Sequence, residues 1–541
     1  MSEVPMKNSI SRRFLWLAAL SLSIGWGIRG QFGHEYGAGM AGSLGCLAIA
    51  VLSGREDWQR RAAYFAMFGG IGWAFGGSMS YMKVVGYTHS PDTASVLYGF
   101  ANMFVLGFLW SAPGGAGCAL PAYLSRENLT EFFYPLSAVI IGWLTRDILS
   151  DLSPHLRTEG AGILIAALAM LILAAIRRRF DMGTRLGLYI CGGWWAGMIL
   201  LVHVCRLHMS PPRGDGWAGC VGLVAGILIF CARNNLGGVA FATVCTGLLG
   251  GCGFALAASL KQVGIHTGWV TNWHSVMEQT DGLFYGLALA VAMGMIMRRA
   301  PRVSDDPPVR RWTDAYAVMF LLWLFTYINF RKSPADWVRE IPSLHPRLYG
   351  IAVEGGFIPS HGFLGWFDFA YLALGIAMAW LLVLHLKRRL PLVPSTWLGK
   401  AQLLFVVYLW AQIIICFANS LPRFADRRLV TEWFMTINAA VCTILMAAGS
   451  LAQPDRNVEG DAADGSYLPW IRKTVLFGLL GAVVIVFAAW GEKLLLYGNS
   501  AVPYAGDLDR SLIWGEKFRH VSVPYGSVDI RFGPNNTNDK P

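Results

Sequence analysis

The chain has 541 residues, of which 55% are hydrophobic and 14% are charged. Soluble domains carry about 25% charged residues, so this composition excludes a soluble globular protein and indicates a chain that lies mostly in a lipid bilayer. The net charge of +11 comes largely from Lys and Arg in short loops between apolar runs, which is the bias of cytoplasmic loops in membrane proteins. We therefore expect the lipid bilayer as a partner and no nucleic acid.

Apolar runs long enough to cross a bilayer recur along the chain. They predict an all-α polytopic membrane protein with about 15 transmembrane helices, because each crossing needs about 20 apolar residues. The fourth run either ends near residue 112 or continues past Pro113 to Leu124. The predicted spans are 14–28, 37–53, 62–82, 95–112, 133–149, 160–176, 186–205, 217–232, 237–260, 275–297, 312–330, 366–386, 401–419, 430–450 and 473–490.

The first span begins with a twin-arginine pattern, SRRFL at residues 11–15. The apolar run then meets GWG at 25–27 rather than a small-residue cleavage site, so we expect an uncleaved span in a bacterial cytoplasmic (inner) membrane. Basic residues concentrate in alternate short loops, for example at Arg177–Arg179. This pattern predicts a cytoplasmic N-terminus and, with an odd number of spans, an extracytoplasmic C-terminus.

One glycine-rich stretch occurs twice, as GGIGWAFGGSM at Gly69–Met79 and as GGCGFALAASL at Gly250–Leu260. The match predicts an internal repeat of six spans, and an even number of spans makes the two copies parallel. Small residues one helical turn apart allow close contact between helices in a bilayer. The predicted helix-packing positions are Gly69, Gly70, Gly72, Gly76, Gly250, Gly251, Gly253 and Ala257.

The repeat divides the chain into four predicted regions. These are 1–180 (first repeat), 181–390 (second repeat, with an outside loop at 329–365), 391–490 (three additional transmembrane helices) and 491–541 (extracytoplasmic tail). Within the tail, residues 518–532 alternate in the manner of strands around a Pro-Tyr-Gly-Ser turn, which predicts a hairpin.

The short connection between the first two spans carries a first group of candidate site residues. Arg29, His34 and Glu35 lie there among four glycines, which allow close approach of the backbone. Arg29 is suited to bind a phosphate or carboxylate, and His34 or Glu35 to move protons. The alternative is an interfacial turn whose charges face water.

The tenth span carries a second group. His274, Glu278, Asp281 and Tyr285 follow the spacing i, i+4, i+7 and i+11, which places them on one helix face. Carboxylates within a membrane are costly and usually functional, so this stripe is suited to proton coupling or to holding a cation. The alternative is a buried network satisfied by neighbouring arginines.

Two further arginines, Arg206 and Arg213, are candidates for binding an anionic substrate. His203, Cys205 and His208 lack a recognised metal-ligand spacing, so no metal is assigned. The chain has no Walker loop, no HExxH and no GxSxG motif, whose chemistries are nucleotide binding, zinc hydrolysis and acyl transfer. We predict no cofactor and assign no catalytic residue.

Three functions remain open at this level. The first is a secondary transporter, coupled to protons or sodium, for a polar or anionic small solute. The second is a membrane-embedded transferase with an extracytoplasmic site and a lipid-linked donor, which would need a lateral opening to lipid. The third is a non-catalytic scaffold or sensor, which gains support if the carboxylates pair with arginines in a closed core. The intramembrane carboxylates favour transport, and the question of enzymatic activity stays open.

Overall fold

The computed structural model describes residues 10–30, 32–79, 81–149, 158–209, 215–269, 271–303, 311–322, 365–387, 399–420, 429–451 and 466–503. Within these ranges the chain is almost entirely helical, and they contain no β-strand. The predicted all-α class is therefore confirmed for this part of the chain. Most of the predicted loop at 329–365 and the predicted hairpin at 518–532 lie outside the described residues.

The helices are numbered in chain order. Their bounds are α1 Arg12–Arg29, α2 His34–Val51, α3 Glu56–Arg60, α4 Ala62–Ala74, α5 Met82–Thr88, α6 Thr93–Tyr123, α7 Arg126–Leu149, α8 Glu159–Arg177, α9 Met182–Gly197, α10 Gly216–Arg233, α11 Gly237–His266, α12 Trp273–Met297, α13 Arg311–Met319, α14 Gly365–Lys387, α15 Lys400–Ser420, α16 Leu429–Leu451 and α17 Leu468–Tyr497. A 3₁₀ turn, Phe75–Ser78, extends α4, and a π-helical turn, Met198–Val204, extends α9.

Nine helices of the described part are long and apolar enough to cross a membrane. Shorter apolar helical stretches occur at 312–322, 372–384 and 401–417. Large apolar side chains are exposed along α8 and α17, which is the pattern of helices that face lipid rather than water. The chain is thus a multi-pass helical membrane protein, whereas the predicted number of about 15 spans stays a prediction.

Several predicted boundaries shift. The run at 62–82 ends as an α-helix at Ala74, because a 3₁₀ turn and a non-helical connection follow it. The fourth run does continue past Pro113, within the single helix α6. The last helix, α17, continues to Tyr497, beyond the predicted end of the span at 490.

Six helices close into a ring. Each of them packs on the next in the order α1, α2, α4, α6, α11 and α12, and α12 packs back on α1. We call the end where α1 ends and α2 begins the site end of the ring. The other helices lie outside this ring, with α10 and α17 against α6, α16 against α1, and α15 against α2.

Glycine makes the closure between α1 and α12 possible. A Cβ atom at Gly282 would lie 2.5 Å from the Leu22 carbonyl oxygen, and one at Gly286 would lie 2.4 Å from the Ala18 carbonyl oxygen. These two glycines are one helical turn apart on α12, and close backbone approach of this kind is a main source of helix adhesion in bilayers. The contact holds the two helices that carry the opposite charges of the site.

The two glycine-rich stretches both pack on α6. A Cβ atom at Gly72, on α4, would lie 2.2 Å from the Pro113 carbonyl oxygen, and one at Gly251, on α11, would lie 2.6 Å from the Phe104 carbonyl oxygen. The first stretch continues as a 3₁₀ turn, whereas the second lies in one uninterrupted helix of 30 residues. The two stretches thus share a packing partner, and this arrangement gives no support to two parallel repeats.

Buried arginines cap helices at the end of the ring opposite the site end. Arg55 Nη1 donates to the Met297 and Ala300 carbonyls at 2.8 and 2.7 Å, where α12 ends. Arg61 Nη1 donates to the Leu124 carbonyl at 2.7 Å, where α6 ends. Helix ends leave carbonyl groups without partners, so these basic residues complete the termini of two ring helices.

The tightest helix pair outside the ring is α9 with α10, and it provides a test of the packing. A Cβ atom at Gly193 would lie 2.3 Å from the Gly222 carbonyl oxygen, whereas the neighbouring Gly192 has open space around it. We expect Gly193→Ala to lower the free energy of unfolding in detergent by about 1–3 kcal/mol through overpacking. The matched variant Gly192→Ala is expected to be neutral or slightly stabilising, because alanine favours the helix. Equal thermal melting temperatures for the two variants would contradict the close approach of α9 and α10.

Candidate functional site

The site end of the ring brings together charged side chains from distant parts of the chain. Arg29 is the last residue of α1, His34 is the first residue of α2, and Tyr81 lies in the connection before α5. His274 and Glu278 lie in the first two turns of α12. We call these five residues the Arg29 cluster.

Arg29 is the centre of the cluster, and its side chain is completely buried. Its Nη2 atom lies 3.1 Å from Glu278 Oε1 in an ion pair. Its Nη1 atom donates to His34 Nδ1 at 3.3 Å. Because a guanidinium can only donate, His34 Nδ1 must accept, so the proton of the neutral imidazole is on Nε2. The guanidinium carbon also lies 4.5 Å from the centre of the Trp26 ring and 4.6 Å from that of Trp110, so aromatic faces stabilise the cation.

A chain of hydrogen bonds leads from the surface to Glu278. Tyr81 donates its hydroxyl proton to Glu278 Oε1 at 2.7 Å. Its oxygen lies 3.1 Å from His274 Nε2, and since the single phenolic proton is already used, the histidine donates there. Burial, followed by the nearby Glu278 carboxylate, raises the pKa of the Tyr81 phenol, so Tyr81 stays protonated. The His274 side chain is 29% exposed and that of Glu278 is 8% exposed, which makes the carboxylate the inner end of the chain.

Asp281 lies about one turn deeper on α12, about 4.5 Å along the axis at 1.5 Å per residue. It is completely buried, and neither carboxyl oxygen has a hydrogen bond of standard geometry within the described part of the chain. The Tyr285 hydroxyl and the Trp26 indole N–H group lie close enough to Asp281 to interact with it, and Arg29 attracts it electrostatically. No ion pair of Asp281 occurs among the described residues, in contrast to Glu278.

Aromatic side chains fill the ring below the cluster. Trp26 on α1 meets Trp73 on α4, Trp110 on α6 and Tyr285 on α12, with ring centres 5.4, 5.3 and 4.8 Å apart. Helices α4 and α6 are not neighbours of α1 in the ring, so these contacts cross its interior. All four side chains are completely buried. These side chains thus close the interior of the ring on the side of the cluster that lies away from the site end.

The other predicted site residues lie outside the cluster. Glu35 is exposed on the first turn of α2, close enough to Arg146 of α7 for electrostatic attraction. Arg206 is exposed beyond the π-helical turn of α9, with a positive φ of 55°, and has no ion pair or hydrogen bond in the described ranges. Arg213 lies outside the described residues. The structure therefore unites Arg29 and His34 with the stripe on α12 and leaves Glu35 and Arg206 apart from it.

Sequence reasoning missed Tyr81, which belongs to the Arg29 cluster, and Trp110, whose ring packs against the Arg29 guanidinium. Tyr81 follows the glycine-rich stretch, and Trp110 lies in an apolar run of α6 where one aromatic residue carries no distinctive signal. The Gly282-xxx-Gly286 spacing beside Asp281 was visible in the sequence and indicates a close helix contact. No feature of the sequence indicates that α1 is the helix that packs against these two glycines of α12.

Among the described residues, no group of three or more His, Cys, Asp and Glu side chains could hold a metal ion. No protein-family model, no curated protein and no solved structure matches the chain.

Proposed function

We propose that the chain is a secondary transporter that binds a polar or anionic small solute at the Arg29 cluster and couples its movement to protons. The observation that carries this proposal is Asp281, a buried carboxyl inside the ring with neither an ion pair nor a standard hydrogen bond in the described part of the chain. An ionised carboxylate in such a place is costly, so its charge is readily lost and regained with a change in the surroundings. A group of this kind is suited to accept a proton when the solute enters and to release it later.

Protons fit this site better than sodium ions. A hard cation is held by several oxygen ligands, whereas the polar groups that interact with Asp281 include the Tyr285 hydroxyl, the Trp26 N–H group and the cationic Arg29. Among these groups only the Tyr285 hydroxyl offers an oxygen ligand, and the positive charge of Arg29 repels a metal cation. The hydrogen-bonded path from His274 through Tyr81 supports proton exchange with the surface.

Arg29 is the proposed anchor of the solute. Its guanidinium is paired with Glu278 at 3.1 Å while its Nε atom is buried without a hydrogen-bond partner in the described ranges. A carboxylate or phosphate group would bind it in place of Glu278, because guanidinium binds both through two parallel hydrogen bonds. Protonation of Glu278 or Asp281 would offset the negative charge that such a solute brings.

The site end of the ring is proposed to face the extracytoplasmic side, and a cysteine offers a test of this orientation. Cys205, just beyond the π-helical turn of α9, is the exposed member of the ten cysteines, and the others are buried or half-buried. We expect a membrane-impermeant maleimide to label Cys205 in intact cells, and Cys205→Ser to abolish the label. Labelling that requires permeabilised cells would reverse the proposed orientation.

Flux through purified protein tests the transport proposal. Proteoliposomes that contain the full chain and an internal pH dye are given an outside pool of inorganic phosphate, sulfate, small carboxylates or amino acids under an imposed pH gradient. We expect one class of solute to cause internal acidification together with its own uptake, since both would cross at the ring. If a folded protein moves none of these solutes, or moves one equally fast without the gradient, proton-coupled transport of that solute class is excluded.

The transferase alternative is favoured by one observation, an apolar groove between α6 and α10 that opens to the side. A lipid-linked donor would need such a groove for its chain. The groove lies outside the ring, however, whereas Trp110 and Gly114 of α6 face the ring interior. A donor in the groove would therefore be separated from Arg29 by the body of α6. The scaffold alternative accounts for the Arg29–Glu278 pair but not for the lone carboxyl of Asp281.

A further inference from the structure

A groove on the outer surface of the ring has features that the transport proposal does not use. It has a volume of about 270 Å³ and is lined on one side by Phe104, Phe108 and Leu109 of α6. Its other side is formed by α10, where the lining includes Val221, Val224 and Leu228. The lining is almost wholly apolar. The volume of the groove is just below the lower end of the range for small-molecule sites, which is about 300 Å³. The dimensions suit a section of one alkyl chain.

The α10 wall of the groove ends at an indole. Trp217 lies one helical turn before Val221, so it is on the same face of α10 as the groove. Its Nε1 atom is buried and has no hydrogen-bond partner in the described part of the chain. Tryptophan with a polar tip is typical of the boundary between lipid chains and water. An ester or phosphate oxygen placed above the chain would satisfy this donor.

Charged side chains surround the start of α10. Glu159, at the start of α8, lies against Gly216, because a Cβ atom there would be 3.1 Å from Glu159 Oε2. Glu35 is near enough to Glu159 to repel it and near enough to Arg146 to be attracted. Both carboxylates are exposed. We call Glu35, Arg146 and Glu159 the Glu159 patch.

The Glu159 patch lies at the start of α10, and the lining of the groove begins further along the same helix. Gly216 contacts the patch, the next residue is Trp217, and the lining of the groove begins at Val221. Val221 lies five positions after Gly216, which is about 7.5 Å along the helix axis at 1.5 Å per residue. One molecule with a charged head and an apolar chain can therefore contact both parts.

We propose that this groove and the Glu159 patch bind a phospholipid with an amine headgroup, phosphatidylethanolamine. The chain lies between α6 and α10, the phosphate contacts Arg146 and the Trp217 N–H group, and the amine contacts Glu159 and Glu35. The patch carries two carboxylates and one guanidinium, so its charge complements a headgroup with one ammonium group and repels an anionic headgroup without one. The proposal stands independently of what the ring transports.

The test uses the full chain, reconstituted in an equal mixture of phosphatidylethanolamine and phosphatidylglycerol and then extracted in a mild nonionic detergent. Native mass spectrometry counts the lipids that remain bound. We expect phosphatidylethanolamine to be retained in preference to phosphatidylglycerol. Ala225→Phe should lower this retention at least about tenfold, because the phenyl group of the new side chain would fill the groove. Val484→Phe, at a lipid-exposed position of α17, is the matched control and keeps the bound lipid.

The headgroup contact has its own variant. Glu159→Gln changes an exposed residue, so we expect the protein to stay folded. The preference for phosphatidylethanolamine should fall while the acyl chain of the lipid still occupies the groove. Equal retention in Ala225→Phe and Val484→Phe would overturn the groove as a binding site and leave only surrounding bilayer lipid. Preferential retention of phosphatidylglycerol by the unaltered protein would overturn the headgroup assignment.

Discussion

Asp281→Asn is expected to abolish proton movement while the protein remains folded. The amide has the size of the carboxyl but cannot exchange a proton, so the solute would cross without its proton or would not cross. We expect the solute-dependent rate of internal acidification to fall by about 100-fold or more, which corresponds to about 2.7 kcal/mol. The fold should tolerate the change, because an amide avoids the cost of a charge buried without an ion pair.

Glu492→Gln is the matched control for this result. Glu492 is a half-buried carboxyl on α17, hydrogen-bonded to Ser259 of α11 and outside the ring. The Glu492→Gln variant should leave the solute-dependent rate of internal acidification unchanged, because the Glu492 carboxyl does not line the interior of the ring. If Asp281→Asn moved protons with the solute as fast as the unaltered protein, Asp281 would not be the coupling group. If Tyr285→Phe, which alters a neighbour of Asp281, then also left the rate of internal acidification unchanged, Glu278 would be the better candidate for the proton acceptor.

The stripe on α12 was predictable because helical periodicity alone places His274, Glu278, Asp281 and Tyr285 on one face. The partner of the stripe was not predictable. Arg29 and Glu278 are separated by 249 positions in the chain, and no local pattern encodes a contact over that distance. Each group was identified from its own local pattern, the glycine-rich connection in one case and the helical spacing in the other. Only the closure of the ring shows that one neutralises the other.

The repeat shows how a sequence signal can have another physical cause. Gly69–Met79 and Gly250–Leu260 resemble each other, and both pack on α6. A helix with close neighbours on two sides requires small residues on each of them, so similar glycine spacing arises from a shared partner as readily as from duplication. Local composition records the need for close packing but does not record the identity of the packed helix.

Replacement of both members of the Arg29–Glu278 pair is expected to restore the stability that each single replacement loses, but not to restore transport. Arg29→Gln leaves Glu278 as a buried negative charge without its arginine, and Glu278→Gln leaves the buried Arg29 guanidinium without this carboxylate. Removal of one partner of a buried ion pair costs about 3–5 kcal/mol, whereas replacement of both partners is often close to neutral. We therefore expect each single variant to melt at a lower temperature than the unaltered protein, and the double variant Arg29→Gln/Glu278→Gln to recover most of the loss.

Transport by the same three variants separates structure from function. A pair that serves only the fold would regain solute uptake in the double variant along with stability, because two neutral amides restore the packing of α1 against α12. If Arg29 binds the solute, uptake stays absent in the stable double variant, since no cation remains to hold an anionic group. Restored uptake would thus return the Arg29 cluster to a purely structural role. Single variants that melt like the unaltered protein would contradict the buried pair itself.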